Sequence, residues 1–133
     1  PSLLEYPNVE VDFRKWRLRT ALHEVSKFDV GLMPLTNDPW AAGKCGFKII
    51  QYMACGVPVV ASAVGINCEL VKDNVNGYLA RSMPDWVERL TLLIDNPQLR
   101  AAMGREGRAF VEKNYDIRLF VERFGEVLRK ACS

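Results

Sequence analysis

The sequence has no apolar run long enough to span a membrane, which takes about 20 residues in succession. Its only histidine is His23, with no nucleophile placed for a catalytic triad, and no two of its four cysteines form a Cys-x-x-Cys pair. These absences argue against a zinc site, a thioredoxin-like redox centre and histidine catalysis.

A strong charge of either sign is also missing, since 18 basic and 16 acidic residues leave a net charge of +2. This bias is too weak to indicate a nucleic-acid partner. The first eight residues lack the charged start and apolar stretch of a signal peptide. We therefore expect a cytoplasmic protein whose cysteines (Cys45, Cys55, Cys68 and Cys132) are reduced.

The length and composition favour one compact domain. About half of the residues are apolar (49%) and a quarter are charged (26%), as in globular proteins, and 133 residues suffice to bury a core. We predict a single domain over residues 1–133.

Short apolar runs alternate with stretches of helical periodicity along the chain. The predicted strands are Val9–Phe13, Asp29–Pro34, Val57–Ser62 and Tyr78–Ala80. The predicted helices cover about Arg14–Lys27, Gly46–Cys55 and Asn67–Val71, and three more begin at Ser82, Asn96 and Asp116. Strands that alternate with helices predict an α/β fold, a Rossmann-like parallel sheet with flanking helices.

Helical spacing also predicts which side chains face the core. The predicted inner faces are Leu18, Ala21, Leu22 and Val25; Phe47, Ile50, Met53 and Ala54; Trp86, Val87, Leu90, Leu93 and Ile94; and Phe120, Phe124, Leu128 and Ala131.

Two loops follow the carboxyl ends of predicted strands, where open parallel sheets bind ligands. One leads from Pro34 to Gly46, and the other runs from Ala63 to Asn67. Small residues just before a helix leave free amides near its positive dipole end, which attracts phosphate. Ordinary turn chemistry is the more common explanation of such glycines, so the pattern alone is a weak indication of phosphate binding.

Residues 43–62, GKCGFKIIQYMACGVPVVAS, closely resemble the donor-site signature of retaining GT-B glycosyltransferases of the group 1 (family 4) class. The resemblance continues through VGINCELVKDNVNGYLA at 64–80, and FDVGLMPL at 28–35 matches the strand that leads into the site. It covers about residues 28–115. The resemblance implies a partial, truncated GT-B C-terminal domain that binds a nucleotide-diphosphate sugar.

The family carries two glutamates eight residues apart, one for the donor sugar and one for the ribose. This sequence has Gly43 and Gln51 at those positions. Gln51 can still bond ribose hydroxyls, because its amide both donates and accepts. Between them, the resemblance assigns the diphosphate to the amides of Cys45, Gly46 and Phe47, with help from Lys44.

Other residues stand at the periphery of the implied site. Trp40 can stack on a base or sugar or can simply close the loop, and Lys48 can add positive charge or remain a surface residue. Gly65 lies in the second loop. Glu69 occupies the position of a frequent family glutamate, although stabilising a helix would explain it equally well.

The resemblance implies that no catalytic residue lies in this chain, because the clamping Arg and Lys and the N-terminal acceptor-binding domain are expected to be missing. The resemblance, together with the absence of an Asp-x-Asp motif, implies that neither a metal ion nor another cofactor is needed. We expect the isolated chain to be inactive. The alternatives are a non-enzymatic nucleotide- or protein-binding module and a flavodoxin-like ligand domain. Missing strands would leave an open sheet edge, so we also expect a homodimer.

Overall fold

The computed structural model describes residues 7–132 of the chain. One parallel sheet contains β1 (Gly31–Met33), β2 (Val59–Ser62) and β3 (Gly77–Ala80), in that order. The described helices are α1 (Ala21–Val25), α2 (Pro39–Ala42), α3 (Phe47–Ala54), α4 (Asn67–Leu70), α5 (Met83–Asp95), α6 (Pro97–Tyr115) and α7 (Ile117–Ala131). The predicted α/β, Rossmann-like fold is confirmed. The proposed domain limits include residues 1–6 and 133, which lie outside the described residues.

The central strand β2 is buried along its whole length because helices cover both faces of the sheet. Val59 and Ala61 pack in one cluster with Ile49 and Met53 of α3. Val60 faces the opposite way and packs in a second cluster, which includes Leu93 of α5. Burial on both faces explains why the strand is an unbroken apolar run rather than an alternating one.

Helix α3 lies between two glycines with positive φ, Gly46 (+64°) at its start and Gly56 (+72°) just beyond its end. Its buried side chains are Ile49 and Met53, four residues apart. The predicted inner face is therefore partly wrong, because Phe47 and Ala54 are exposed, whereas Ile50 is half-buried against the core as predicted. The predicted stripe lay about one residue away from the face that meets the sheet.

The predicted caps of α5 and α7 are confirmed. Ser82 and Asp85 form a reciprocal capping box, and Asp116 accepts a hydrogen bond from the Arg118 amide. Asn96 precedes α6 as predicted, but its side chain does not cap α6 and instead donates to the Leu92 carbonyl oxygen in the last turn of α5.

Two predicted inner faces of the C-terminal helices are wrong in whole or part. Helix α5 buries Leu93, whereas Val87 and Ile94 are exposed. Helix α7 buries none of its predicted core residues, Phe120, Phe124, Leu128 and Ala131. Periodicity identifies the apolar face of a helix, but another element has to cover that face before it becomes core.

The region before β1 differs most from its prediction. Residues Val9–Phe13 form no strand, since only Val9 takes part in an isolated bridge. The predicted helix Arg14–Lys27 shrinks to α1, and Leu18 and Leu22 of its expected inner face are exposed. A strand needs a neighbour to satisfy its backbone, and the alternating pattern alone does not supply one.

Within residues 7–132, no helix combines the length and the apolar character that crossing a bilayer requires.

Candidate functional site

The two loops singled out in the sequence meet at the carboxyl edge of the sheet. A Cβ atom on Gly65 would lie 2.4 Å from the carbonyl oxygen of Ala42, at the end of α2. A Cβ atom on Gly46 would lie 2.4 Å from a methyl carbon of Leu70 in α4. Both glycines have positive φ, so their backbone conformation and the close packing both disfavour a side chain.

Free backbone donors are concentrated at the start of α3. The N–H groups of Cys45, Gly46 and Phe47 make no hydrogen bond to any described residue, whereas the Lys44 N–H donates to the Ala41 carbonyl oxygen. Three consecutive free donors at a helix start, reinforced by the helix dipole, form an anion-binding arrangement. This is the segment for which the resemblance implied diphosphate contacts.

Positive charge flanks these donors. Lys44 and Lys48 are exposed, and neither forms an ion pair within residues 7–132. The nearby Asp38 carboxylate caps α2 by accepting from the Ala41 amide at 2.9 Å. Its pKa is lowered chiefly by the Thr36 hydroxyl, then by that amide, and to a smaller extent by the Lys44 charge. Asp38 is therefore a structural cap that stays ionised.

Gln51 is half-buried and lies one helical turn after Lys48 on the same face of α3. Both residues line a cleft of 540 Å³ between α3 and residues 12–28. Tyr52 also lines this cleft, and burial raises the pKa of its hydroxyl. The amide of Gln51 is thus accessible to a ligand that extends along α3.

A second cleft, of 460 Å³, lies where the three strands end, and sequence reasoning missed it. Its lining includes Leu35, Ser62, Arg81 and Trp86. The Ser62 hydroxyl accepts from the Leu35 amide at 2.9 Å and so joins the ends of β1 and β2. The sequence signal available for this cleft was Ser62, a polar residue at the end of an apolar strand.

Asn67 fastens the second loop to the end of β2. Its side-chain nitrogen donates to the Ser62 carbonyl oxygen at 3.0 Å. Its side-chain oxygen is buried and has no hydrogen-bond partner among the described residues. This contact holds the Gly65 turn in place beside α2.

The remaining predicted residues lie on the surface around the two loops. Gly43 ends α2, and a Cβ atom there would meet nothing closer than the Trp40 carbonyl oxygen at 3.6 Å. Trp40 is 82% exposed, and Glu69 is exposed on α4. Nothing in the packing therefore requires glycine at position 43.

No group of three His, Cys, Asp or Glu side chains suited to a metal occurs within residues 7–132.

Comparisons with known proteins place the chain in a family. Residues 9–110 match the family model for glycosyl transferases group 1. An uncharacterized glycosyltransferase of Methanocaldococcus jannaschii, MJ1178, is 40% identical over 70 residues, which cover 51% of this chain and 20% of that protein.

A GDP-mannose-dependent monoacylated alpha-(1-6)-phosphatidylinositol monomannoside mannosyltransferase of Corynebacterium glutamicum is 35% identical over 85 residues, covering 63% of this chain and 22% of that protein. The chain thus matches only about a fifth of the length of these two relatives.

The fold has solved counterparts. Sucrose-phosphate synthase from Thermosynechococcus elongatus superposes with a TM-score of 0.73 at 25% identity, over 86% of this chain and 28% of that one. The family match covers well over half of the present chain. The chain therefore belongs to the glycosyl transferases group 1 family and has the Rossmann-like fold of its GT-B enzymes.

Proposed function

We propose that this chain is a donor-binding domain that holds a nucleotide-diphosphate sugar for retaining glycosyl transfer to an acceptor. The observation that carries the proposal is the row of three unbonded N–H groups from Cys45 to Phe47. Lys44 and Lys48 flank this row with two positive charges, and neither lysine forms an ion pair among the described residues. Charge-assisted hydrogen bonds of this kind suit a diphosphate.

The nucleotide part of the donor would extend along α3. Gln51 is within reach of the same cleft as Lys48, and its amide can both donate to and accept from ribose hydroxyls. The Corynebacterium relative supports a nucleotide sugar, since its name describes a GDP-mannose-dependent enzyme.

Catalysis would consist mainly of stabilising the negative charge of the departing diphosphate. Lys44, Lys48 and the free amides supply part of that stabilisation, but no residue of this chain is proposed to act on the acceptor. We propose that an acceptor-binding domain completes the enzyme and that the isolated chain transfers no sugar.

One observation favours a second candidate, a non-enzymatic nucleotide- or protein-binding module. Gly43 occupies the position at which the family places a sugar-binding glutamate, and the space beside it is open. The free amides of Cys45, Gly46 and Phe47 form what we call the phosphate cradle. A domain that retains this cradle and lacks the sugar contact could bind a nucleotide without transferring a sugar.

Titration of the isotope-labelled chain with uridine and guanosine diphosphates tests the proposal. We expect amide shifts concentrated between Lys44 and Gln51, with a Kd of roughly 0.1–5 mM because few charge-assisted contacts are available. The double variant Lys44→Ala/Lys48→Ala should weaken binding severalfold. Its matched control, Arg105→Ala/Lys113→Ala, removes the same charge from α6 and should leave binding unchanged.

Shifts confined to other loops, or equal losses in both double variants, would refute the phosphate cradle. Transfer assays with a supplied acceptor-binding domain then separate the enzyme from the module. Sugar transfer by the isolated chain would contradict the proposal that a separate acceptor-binding domain completes the enzyme.

A further inference from the structure

The segment Phe13–Arg19, which we call the basic-aromatic segment, has the sequence FRKWRLR. It holds four of the 18 basic residues and no acidic residue. The rest of the chain therefore carries 14 basic and 16 acidic residues, a charge of −2 against +4 for the segment. The small net charge of the whole chain conceals this local concentration.

Its apolar side chains extend into solvent. Phe13, Trp16 and Leu18 are 88%, 69% and 79% exposed. The backbone has no regular secondary structure up to Arg17, where a turn follows. Three large exposed apolar side chains within one short segment favour contact with a partner.

The cations of the segment are mostly uncompensated. Arg14 pairs with Asp12 and Glu24. Lys15, Arg17 and Arg19 are exposed and form no ion pair with any residue in the described part of the chain. The segment thus combines three free positive charges with three exposed apolar side chains.

We propose that the basic-aromatic segment docks onto the surface of a bilayer that contains anionic lipids. Aromatic rings such as those of Phe13 and Trp16 suit the interface between headgroups and acyl chains. Basic residues are attracted to anionic headgroups, and reversible anchoring is firm only when apolar insertion and electrostatic attraction act together.

A nucleic acid fits these observations less well. Leu18 has no ring on which a base can stack, although it is as exposed as the two aromatic side chains. The net negative charge of the remaining chain offers no extended positive path for a phosphate backbone. A bilayer needs only the basic-aromatic segment.

The basic-aromatic segment adjoins the proposed donor site, since Phe13, Lys15, Trp16 and Arg17 line the same cleft as Lys48 and Gln51. Vesicle binding is measured without a nucleotide, so its outcome does not depend on whether the chain binds one.

Co-sedimentation of the full chain with lipid vesicles tests the proposal. We expect binding to vesicles of phosphatidylcholine mixed with phosphatidylglycerol, and little binding to phosphatidylcholine alone. The triple variant Lys15→Gln/Arg17→Gln/Arg19→Gln should lose about 100-fold in partitioning, because each basic residue contributes about fivefold. Trp16→Ser should weaken binding to the mixed vesicles without altering the net charge.

The matched control Arg105→Gln/Lys113→Gln/Arg123→Gln removes the same charge from α6 and α7 and should keep most of the partitioning. Thermal unfolding curves of both triple variants verify that they are folded. The proposal would be overturned by absence of vesicle binding, by equal binding to vesicles with and without phosphatidylglycerol, or by equal losses in the two triple variants. Binding of a single-stranded RNA by a chain that ignores the vesicles would also overturn it.

Discussion

A Cβ atom on Gly104 would lie 2.0 Å from the carbonyl oxygen of Gly56, so α6 crosses the end of α3 with almost no space between the two backbones. Gly56 is itself constrained, because its φ is +72° and its N–H donates to the Met53 carbonyl oxygen at 2.9 Å. This contact fixes α3 at its far end. The candidate phosphate cradle at Gly46 depends on the position of the same helix.

Gly104→Ala should destabilise the protein by about 1–3 kcal/mol, because the new methyl group would meet backbone atoms that cannot rotate away. Gly125→Ala is the matched control within α7, where the nearest heavy atom is a flexible Arg129 nitrogen at 3.7 Å. It should gain about 0.5–1 kcal/mol from helix propensity. Urea unfolding measures both, and equal effects would contradict the close crossing.

Ser62→Ala should cost about 1–3 kcal/mol, because it leaves the Leu35 amide without its acceptor between two strand ends. Ser26→Ala is the comparison variant, since its hydroxyl donates to the His23 carbonyl oxygen on the exposed surface and should matter much less. If chemical denaturation gave the two variants equal stability, the Ser62 bond would not hold the loop.

The stability of α7 should depend on pH through Asp116. Its pKa is lowered from the ordinary value of 3.8 to about 2, first by the Arg118 side chain and then by the Arg118 amide. A carboxyl with a depressed folded pKa stabilises the fold fully above about pH 4 and loses this effect as the pH falls towards 2.

Asp116→Asn keeps a capping oxygen but cannot titrate, so the variant should lose less stability than the parent protein as the pH falls. Circular dichroism between pH 4 and pH 2 compares the two proteins over the window set by the two pKa values. If the variant lost as much helical signal as the parent protein over this pH range, the acid sensitivity would belong to other carboxylates.

Gln51→Leu should weaken nucleoside diphosphate binding about five- to tenfold, the equivalent of one neutral hydrogen bond, and should leave inorganic pyrophosphate binding unchanged. Gln98→Leu on the exposed part of α6 is the control. Isothermal titration with both ligands separates the ribose contact from the phosphate contact. A parallel loss for pyrophosphate would place Gln51 beside the phosphates.

We also propose that two copies associate through the outer edge of β1. Gly31 donates to the Pro58 carbonyl oxygen, so the backbone groups of the next residue, Leu32, point away from β2. Among the described residues no strand pairs with that edge, although the Leu32 carbonyl oxygen accepts from the Tyr52 hydroxyl at 3.4 Å. An edge without a partner strand invites pairing with another chain. Sedimentation equilibrium at micromolar concentration should detect a dimer. A monomer with β1 amides protected from exchange would exclude it.

Elements fixed by local chemistry were predictable from the sequence. The start of α5 at Ser82, the extent of α3 and the apolar strand β2 depend on neighbouring residues and were predicted correctly. Residues Val9–Phe13 and the apolar face of α7 were not, because a strand and a core face both require a distant partner.

The same distinction between local features and features that need a distant partner applies to the candidate site. The small residues before α3 indicated the cradle at Gly46, since a helix start exposes its amides whatever lies around it. The bond from Leu35 to Ser62 joins residues 27 positions apart, and only the packing of two strands could reveal it.

Helix α7 has a consequence for cooperativity. It buries no side chain of its own, whereas Ile49, Val59 and Leu93 are completely enclosed in the two clusters around the sheet. Local opening costs little where little apolar surface is removed from water, so we expect α7 to open more readily than the two clusters. A partner that covers its apolar face would raise the free energy of that opening.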